Sequence, residues 1–145
     1  MKITISETKD INIDDILVLY KANEWSSADK PTQLYNGLLN SETLITALHD
    51  TKLVGLGNAI SDGHLTVYYP HLLVLPEYKG KGIGKMIVEK MQEKYNHFHM
   101  QMLTADGKAV DFYKKKTVLN VLETQNQCGF IKEMNTKNNN FIKLK

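Results

Sequence analysis

VLPEYKGKGIGKM, Val74 to Met86, is the stretch on which the reading of this chain turns. It sets Gly80, Gly82 and Gly84 at alternate positions just before an apolar pattern of helical spacing, Ile83, Met86, Ile87 and Met91, with Lys79, Lys81 and Lys85 around them. A glycine loop between a strand and a helix brings free backbone N–H groups and the positive end of the helix dipole to one point, which suits an anion. Glycine permits positive φ there and lets an oxygen approach the main chain. Two familiar phosphate loops fail on spacing. The nucleoside-triphosphate loop needs four residues between its first glycine and a Gly-Lys followed by Ser or Thr. Here three residues separate Gly80 from Gly84, and Met86 follows Lys85. The dinucleotide fingerprint GxGxxG fails as well, because the spacing is GxGxG.

Upstream of the loop the texture is that of short strands. TLITALH, LVGLGNAI and HLTVYY are apolar runs separated by the turn-forming DTK and SDG, which predicts an antiparallel meander. Pro70 interrupts the third run before HLLVL resumes. A proline within a strand belongs at an edge or a bulge, so a bulge is expected at Tyr69 to His71. Earlier still, KITI alternates as a first strand, and INIDDILVLY puts Ile13, Ile16, Leu17 and Tyr20 on one helical face. Asn12 is placed to cap that helix, with Asp14 and Asp15 in its first turn. A polar loop at 22–31 carries the only tryptophan, Trp25, and Leu34, Tyr35, Leu38 and Leu39 predict a short second helix that Gly37 weakens.

Downstream, the glycine loop opens onto a helix that packs one face on the sheet. FHMQMLT reads as a fifth strand, ADGK as a turn, and AVDFYKKK as the start of a helix carrying Ala109, Phe112 and Tyr113 on one face. TVLNVLET either continues that helix or forms a strand. CGFIKEM and NFIKLK read as strands around a TKNNN hairpin loop. No repeat or linker divides the chain, so residues 1–145 are expected to form one domain.

Bulk properties narrow the function. With 145 residues and 42% hydrophobic content the chain can bury a real core. It contains no run of about 18 apolar residues, and MKITISETKD reaches charge too early for a signal peptide, so a cytoplasmic protein with no membrane partner is expected. Cys128 is the only cysteine, which excludes an internal disulfide and a cysteine metal cluster. The net charge of +2 hides an asymmetry. Residues 1–78 carry five Lys against ten Asp or Glu, and residues 79–145 carry thirteen against six. The second half is suited to an anion and the first to a cation. All eighteen basic residues are lysine, and without the bidentate guanidinium fork no nucleic-acid partner is expected.

The loop and its flanks resemble the GNAT superfamily of acetyl-CoA-dependent N-acetyltransferases. The cofactor loop of that family is Gln or Arg, two residues, Gly, one residue, then Gly or Ala, following a strand that ends in Val-x-Pro. LLVLPEYKGKGIG fits this pattern, with Lys79 in place of Gln or Arg. NSETLITALHDTKLVGLGNAISDG, from Asn40, resembles the second and third strands of small bacterial and plastid members related to arylalkylamine and serotonin N-acetyltransferases. ADGKAVDFYKK resembles their fourth helix, and the likeness covers most of residues 20–116. It implies an α/β (α+β) fold in which a mixed, mostly antiparallel sheet is splayed between strands four and five and flanked by about four helices, with pantetheine in the cleft.

The same resemblance implies acetyl-CoA as cosubstrate, no metal, and direct transfer to a primary amine on a small molecule or a peptide. Leu72, Leu73 and Val74 would line the cofactor, and Lys79, Gly80, Lys81, Gly82, Ile83, Gly84 and Lys85 would hold its pyrophosphate, with Asp106 a further contact. Tyr113 matches the tyrosine that protonates the departing thiolate; a phenol of pKa about 10 is acid enough if it is close. The oxyanion would be met by backbone N–H near Leu73 or Val74. His71 lies at the bulge, where related sequences often have Asp or Glu, and its ordinary pKa of about 6.5 suits it to relay a proton as general base. Glu24, Trp25 and Tyr35 fall in the region that shapes the acceptor pocket in the family.

Other candidates carry less. His97 and His99 fall on one face of the fifth strand at a spacing of two, but no third ligand lies nearby, and they read as structural. Cys128 has no local sign of activation. In the family a Gly-Phe follows FYxK within a few residues, whereas here CGF comes only at Cys128 to Phe130, so TVLNVLETQNQ, residues 117–127, stands as an insertion. It could lengthen the helix, cover the acceptor site or form a homodimer contact. The rival to an enzyme is a non-catalytic CoA-binding sensor or interaction module on the same fold, which Lys79 and the altered tail would suit.

Overall fold

The computed structural model describes residues 1–105, 120–123 and 128–133. The first strand, β1, spans Ile3–Glu7. Helix α1, Ile13–Ala22, starts where expected: the Asn12 side chain accepts the Asp14 N–H at 2.7 Å, and Asp14 and Asp15 occupy the positive end of the dipole. It buries Ile16, Leu19 and Tyr20, so its inner face is rotated towards Leu19 relative to the expected stripe. A 3₁₀ turn, Ser26–Asp29, leads into α2, Pro31–Leu39, which buries Leu34 and Leu38 and tolerates Gly37 in its last turn.

The strands β2 (Thr43–His49), β3 (Lys52–Ser61), β4 (Thr66–Tyr68) and β5 (Leu72–Val74) precede helix α3 (Ile83–Tyr95). After it come β6 (Met100–Ala105), β7 (Asn120–Glu123) and β8 (Cys128–Glu133). The sheet order is β1-β2-β3-β4-β6-β8-β7, with β5 also paired to β3, and among the described residues every pairing is antiparallel except β4 with β6. This is the mixed, mostly antiparallel sheet that the sequence implied. Within TVLNVLETQNQ, Asn120–Glu123 forms a strand against β8, in place of a continued helix. The expected AVDFYKKK helix, TKNNN hairpin and NFIKLK strand lie outside the described residues.

The bulge falls where Pro70 placed it, and the register shows how. Ile60 faces Tyr68, and Gly57 faces Leu72. Between the Ile60–Tyr68 pair and the Asn58–His71 pair, Ala59 alone opposes both Tyr69 and Pro70. Tyr69 N–H still donates to Met102 C=O at 2.9 Å, extending the β4–β6 pairing by one bond. Pro70 then has no N–H to offer, and β5 continues on β3 alone. The sheet therefore splays between its fourth strand, broken into β4 and β5, and its fifth, β6.

Two expectations need correction. The third run begins as a strand only at Thr66, because the Asp62 carboxylate accepts the N–H groups of His64, Leu65 and Thr66 at 2.9, 2.8 and 3.1 Å and folds the preceding residues into a turn. Those three bonds hold the Asp62 carboxyl down to about 2. His97 and His99 do not share a strand face: β6 starts at Met100, and both histidines lie exposed in the turn after α3, where buried Phe98 anchors the chain and Phe98 N–H donates to Tyr95 C=O.

Helix α3 packs on the face of β3 that carries Gly55 and Gly57. A Cβ at Gly57 would stand 2.7 Å from Ile87 Cγ2, and one at Gly55 3.0 Å from Ile87 Cδ1. The helix buries Ile83, Ile87, Val88, Met91 and Tyr95 there, while Met86 turns outward. At about 1.5–3 kcal/mol for each large side chain taken from water, this seam holds the loop end of α3 on the sheet. On the opposite face, strand alternation directs Asn58 and His71 towards α1.

Candidate active site

The glycine loop starts from a 3₁₀ turn, Pro76–Tyr78, that follows β5. Gly80 and Gly82 both take left-handed conformations, with φ of +78° and +82°, and Gly82 is the N-cap of α3. Glycine has no side chain to close the helix, and the first turn holds no acidic residue. The first intrahelical bond is Met86 N–H to Gly82 C=O at 3.1 Å, which leaves the N–H groups of Ile83, Gly84 and Lys85 without intrahelical acceptors. A Cβ at Gly80 or Gly82 would meet no atom within 4 Å, so the space before the loop is open and its glycines answer to conformation. Lys79 and Lys81 are exposed beside it, and Lys81 Nζ stands 5.2 Å from the centre of the Tyr78 ring. Lys85 pairs with Glu89 one turn on, at 3.5 Å. This donor set fits a polyanion such as a pyrophosphate.

Strand β5 supplies the second feature. Asn58 N–H donates to His71 C=O at 3.2 Å, and Leu75 N–H to Val54 C=O at 2.8 Å. Antiparallel alternation then directs the Leu73 N–H to β3 and turns those of Leu72 and Val74 towards the splay. Of the two residues named from sequence for an oxyanion, Val74 has the outward donor.

His71 sits in a cluster that no single stretch of sequence displays. Its Nδ1 lies 2.7 Å from the Tyr20 hydroxyl, and its ring meets Trp25 edge-on with centroids 4.9 Å apart. Its backbone N–H donates to Asn58 Oδ1 at 3.0 Å, and Asn58 Nδ2 donates to Ser41 Oγ at 3.0 Å. Asn58 thus grips the bulge from both its main chain and its side chain. Burial lowers the His71 pKa below its ordinary value and raises that of Tyr20, so near neutrality the imidazole is uncharged and the phenol keeps its proton. Sequence reasoning missed Tyr20 and Asn58. The signal for Asn58 was there: an amide inside the apolar run LVGLGNAI must find buried partners.

Two clefts flank His71. One, narrow, lies in the splay between the broken strand and α3, with Tyr69, Leu72, Ile87 and Leu103 in its wall; Gln92 Nε2, also in that wall, is buried without a hydrogen-bond partner among the described residues. The other, roomier, runs along α2 past Ile60 and Pro70. His71 and Asn58 line both. Trp25 approaches the second cleft by packing on His71; Glu24 is exposed at positive φ, and Tyr35 turns away to bond Ile11 C=O at 3.3 Å. Tyr113 and Asp106 lie outside the described residues. Among the described residues no cluster of His, Cys, Asp and Glu could hold a metal ion, and no helix is long and apolar enough to cross a membrane.

A family model described as the acetyltransferase (GNAT) family matches residues 11–117. An uncharacterized N-acetyltransferase, ycf52, of Pyropia yezoensis is 25% identical over 120 residues, covering 78% of this chain and 68% of its own. A GNAT family acetyltransferase from Streptococcus pneumoniae TIGR4 superposes with a TM-score of 0.69 at 28% identity, over 79% of this chain and 85% of that one. The PaiA N-acetyltransferase from Thermoplasma acidophilum, solved in complex with coenzyme A, shares the fold with a TM-score of 0.71 at 16% identity, over 92% and 100% of the two chains.

Proposed function

The chain belongs to the acetyltransferase (GNAT) family, and from that premise we propose that it acts as a single domain transferring the acetyl group of acetyl-CoA directly to a primary amine in the cytoplasm. The observation that carries this reading is the position of His71 in the wall between two clefts, one lined by β5 and the middle of α3 and the other by α2. The coenzyme A complex of the PaiA relative supports the same choice of cosubstrate.

In this reading the lysine-flanked loop, Lys79 to Lys85, binds the pyrophosphate through its free N–H groups. The pantetheine arm follows β5 along the apolar cleft. Acetyl-CoA supplies an activated acyl group; the protein must orient it, exclude water and manage charge. Val74 N–H meets the carbonyl oxygen as it becomes anionic. His71 accepts the amine proton at Nε2, which requires that Nδ1 carry its proton and donate to the Tyr20 oxygen at 2.7 Å. Tyr20 and Asn58 are positioning residues in this scheme. Tyr113 returns a proton to the departing sulfur, and Asp106 contacts the cofactor. Calorimetric titration with acetyl-CoA, followed by thiol release across a panel of amines, tests the proposal. Binding with release for at least one amine is expected; binding without release for any would support the sensor reading instead.

A further inference from the structure

We propose, resting on the transferase reading above, that Asn23 and Trp25 are positioning residues of the transfer: the turn that ends α1 holds the base, His71, and the oxyanion donor, Val74, in one frame. A single reversal of the chain makes this possible. Glu24 takes the left-handed conformation at φ +59°, uncommon for a residue with a side chain, and stands exposed. Its N–H donates to Lys21 C=O at 3.0 Å, and that of Trp25 donates to Tyr20 C=O at 3.1 Å. Asn23 before the reversal reaches β5, and Trp25 after it folds back over Tyr20 and His71.

Asn23 acts on Val74. Its Nδ2 donates to Leu19 C=O at 2.9 Å and to Val74 C=O at 3.1 Å, so one amide proton closes the helix and the other ties the strand to it. In an antiparallel strand the N–H and C=O of one residue lie on the same edge. The Val74 carbonyl therefore stands beside the N–H offered to the oxyanion, and left unsatisfied it would oppose the developing negative charge. The bond from Asn23 draws charge off that carbonyl and fixes the edge. Trp25 acts on His71. Three rings meet edge-on, with centroids 4.9 Å apart for Trp25 and His71, 5.7 Å for Trp25 and Tyr20, and 5.5 Å for Tyr20 and His71. The Tyr20 hydroxyl holds Nδ1, while the indole holds the plane of the imidazole and keeps water from that side. The titratable groups around His71 are Tyr20 from α1, Tyr69 in the narrow cleft and Lys30 along the groove. No carboxylate lines either space among the described residues, so burial governs the ionisation of His71.

Each half of the frame has a readout that a loss of stability alone would not move. Asn23→Ala should lower kcat about tenfold, the worth of one hydrogen bond acting through its neighbour, with acceptor KM, acetyl-CoA affinity and pH profile unchanged. Trp25→Ala should admit water to His71 and move the acid limb of the kcat profile up towards about 6.5, the ordinary imidazole value. Trp25→Phe, which keeps a ring on His71, should retain the wild-type limb. Trp25 is also the only tryptophan, and a protonated imidazole quenches indole emission. Wild-type fluorescence should therefore fall as pH drops, with the midpoint of the acid limb, and His71→Gln should abolish that titration; this measurement requires no Trp25 variant to fold. An Asn23→Ala protein that melts earlier but turns over at the wild-type rate would overturn the inference and leave the transferase reading standing. So would a Trp25→Ala limb that stays where it was, or Trp25 emission indifferent to His71. A wild type that binds acetyl-CoA and acetylates no amine would remove both.

Discussion

At the start of α1, Asn12 closes the helix with its own side chain and two aspartates occupy the first turn; at the start of α3, Gly82 offers no side chain and lysines stand where acids would be expected. Both are ordinary helix ends in backbone terms, each with N–H groups to satisfy. The first satisfies them from within the chain, at some benefit to stability. The second leaves them open, forgoing that benefit, and keeps an anion-binding surface instead. A helix end is thus informative about function when its local chemistry is wrong for folding.

That contrast can be broken most severely at Gly82. Gly82→Asp should lower acetyl-CoA affinity by more than about a hundredfold in calorimetry, since a carboxylate about 4 Å from a phosphate is repelled by about 4 kcal/mol at intermediate dielectric. The protein should stay folded, and Gly82→Asn, which tolerates positive φ without charge, should lose far less. Next in size is Tyr113→Phe: turnover should drop by about a hundredfold with little change in acetyl-CoA affinity. An unchanged rate would remove Tyr113 from the chemistry.

His71→Gln should cost roughly tenfold to a hundredfold in kcat and alter its pH profile. Burial depresses the His71 pKa, so the wild-type rate, corrected for acceptor ionisation, should hold as pH falls through about 6.5 and decline only below it. The variant should lack that limb. A linked effect on stability has a definite sign: the unfolded chain binds the proton more readily than the folded one, so wild-type stability should fall as pH drops from about 6.5 through the depressed folded value, and less so in His71→Gln. Asn12→Ala, the smallest, should cost about 1 kcal/mol and lower Tm by about 3 °C with acetyl-CoA affinity unchanged. A change in affinity there would mean that the two helix ends are not independent.

Features written locally were legible in the sequence. The glycine loop, the Asn12 cap and the Pro70 bulge each depend on residues within a few positions of one another, and each stands where expected. The splay was legible only through the family likeness, although Pro70 turns out to be its local cause. The Tyr20–Trp25–His71 cluster was not legible, because it joins positions 51 residues apart that carry no shared pattern. His97 and His99 were misplaced for a simpler reason: alternation in FHMQMLT looks the same whether the strand begins at Phe98 or Met100, and the turn bond from Phe98 N–H to Tyr95 C=O, which no residue pattern announces, holds the chain out of the strand until Met100.

Because a methyl group at Gly57 would meet Ile87 Cγ2 at 2.7 Å, any substitution there must push α3 away from β3 and carry Gly82 along with it. A library of variants selected for acetylation would therefore return position 57 as intolerant beside position 82, though Gly57 lies in the middle of a buried strand. The packing seam acts as a ruler for the site, and drift at that position would be read in a family of sequences as loss of catalysis when its origin is an error of length.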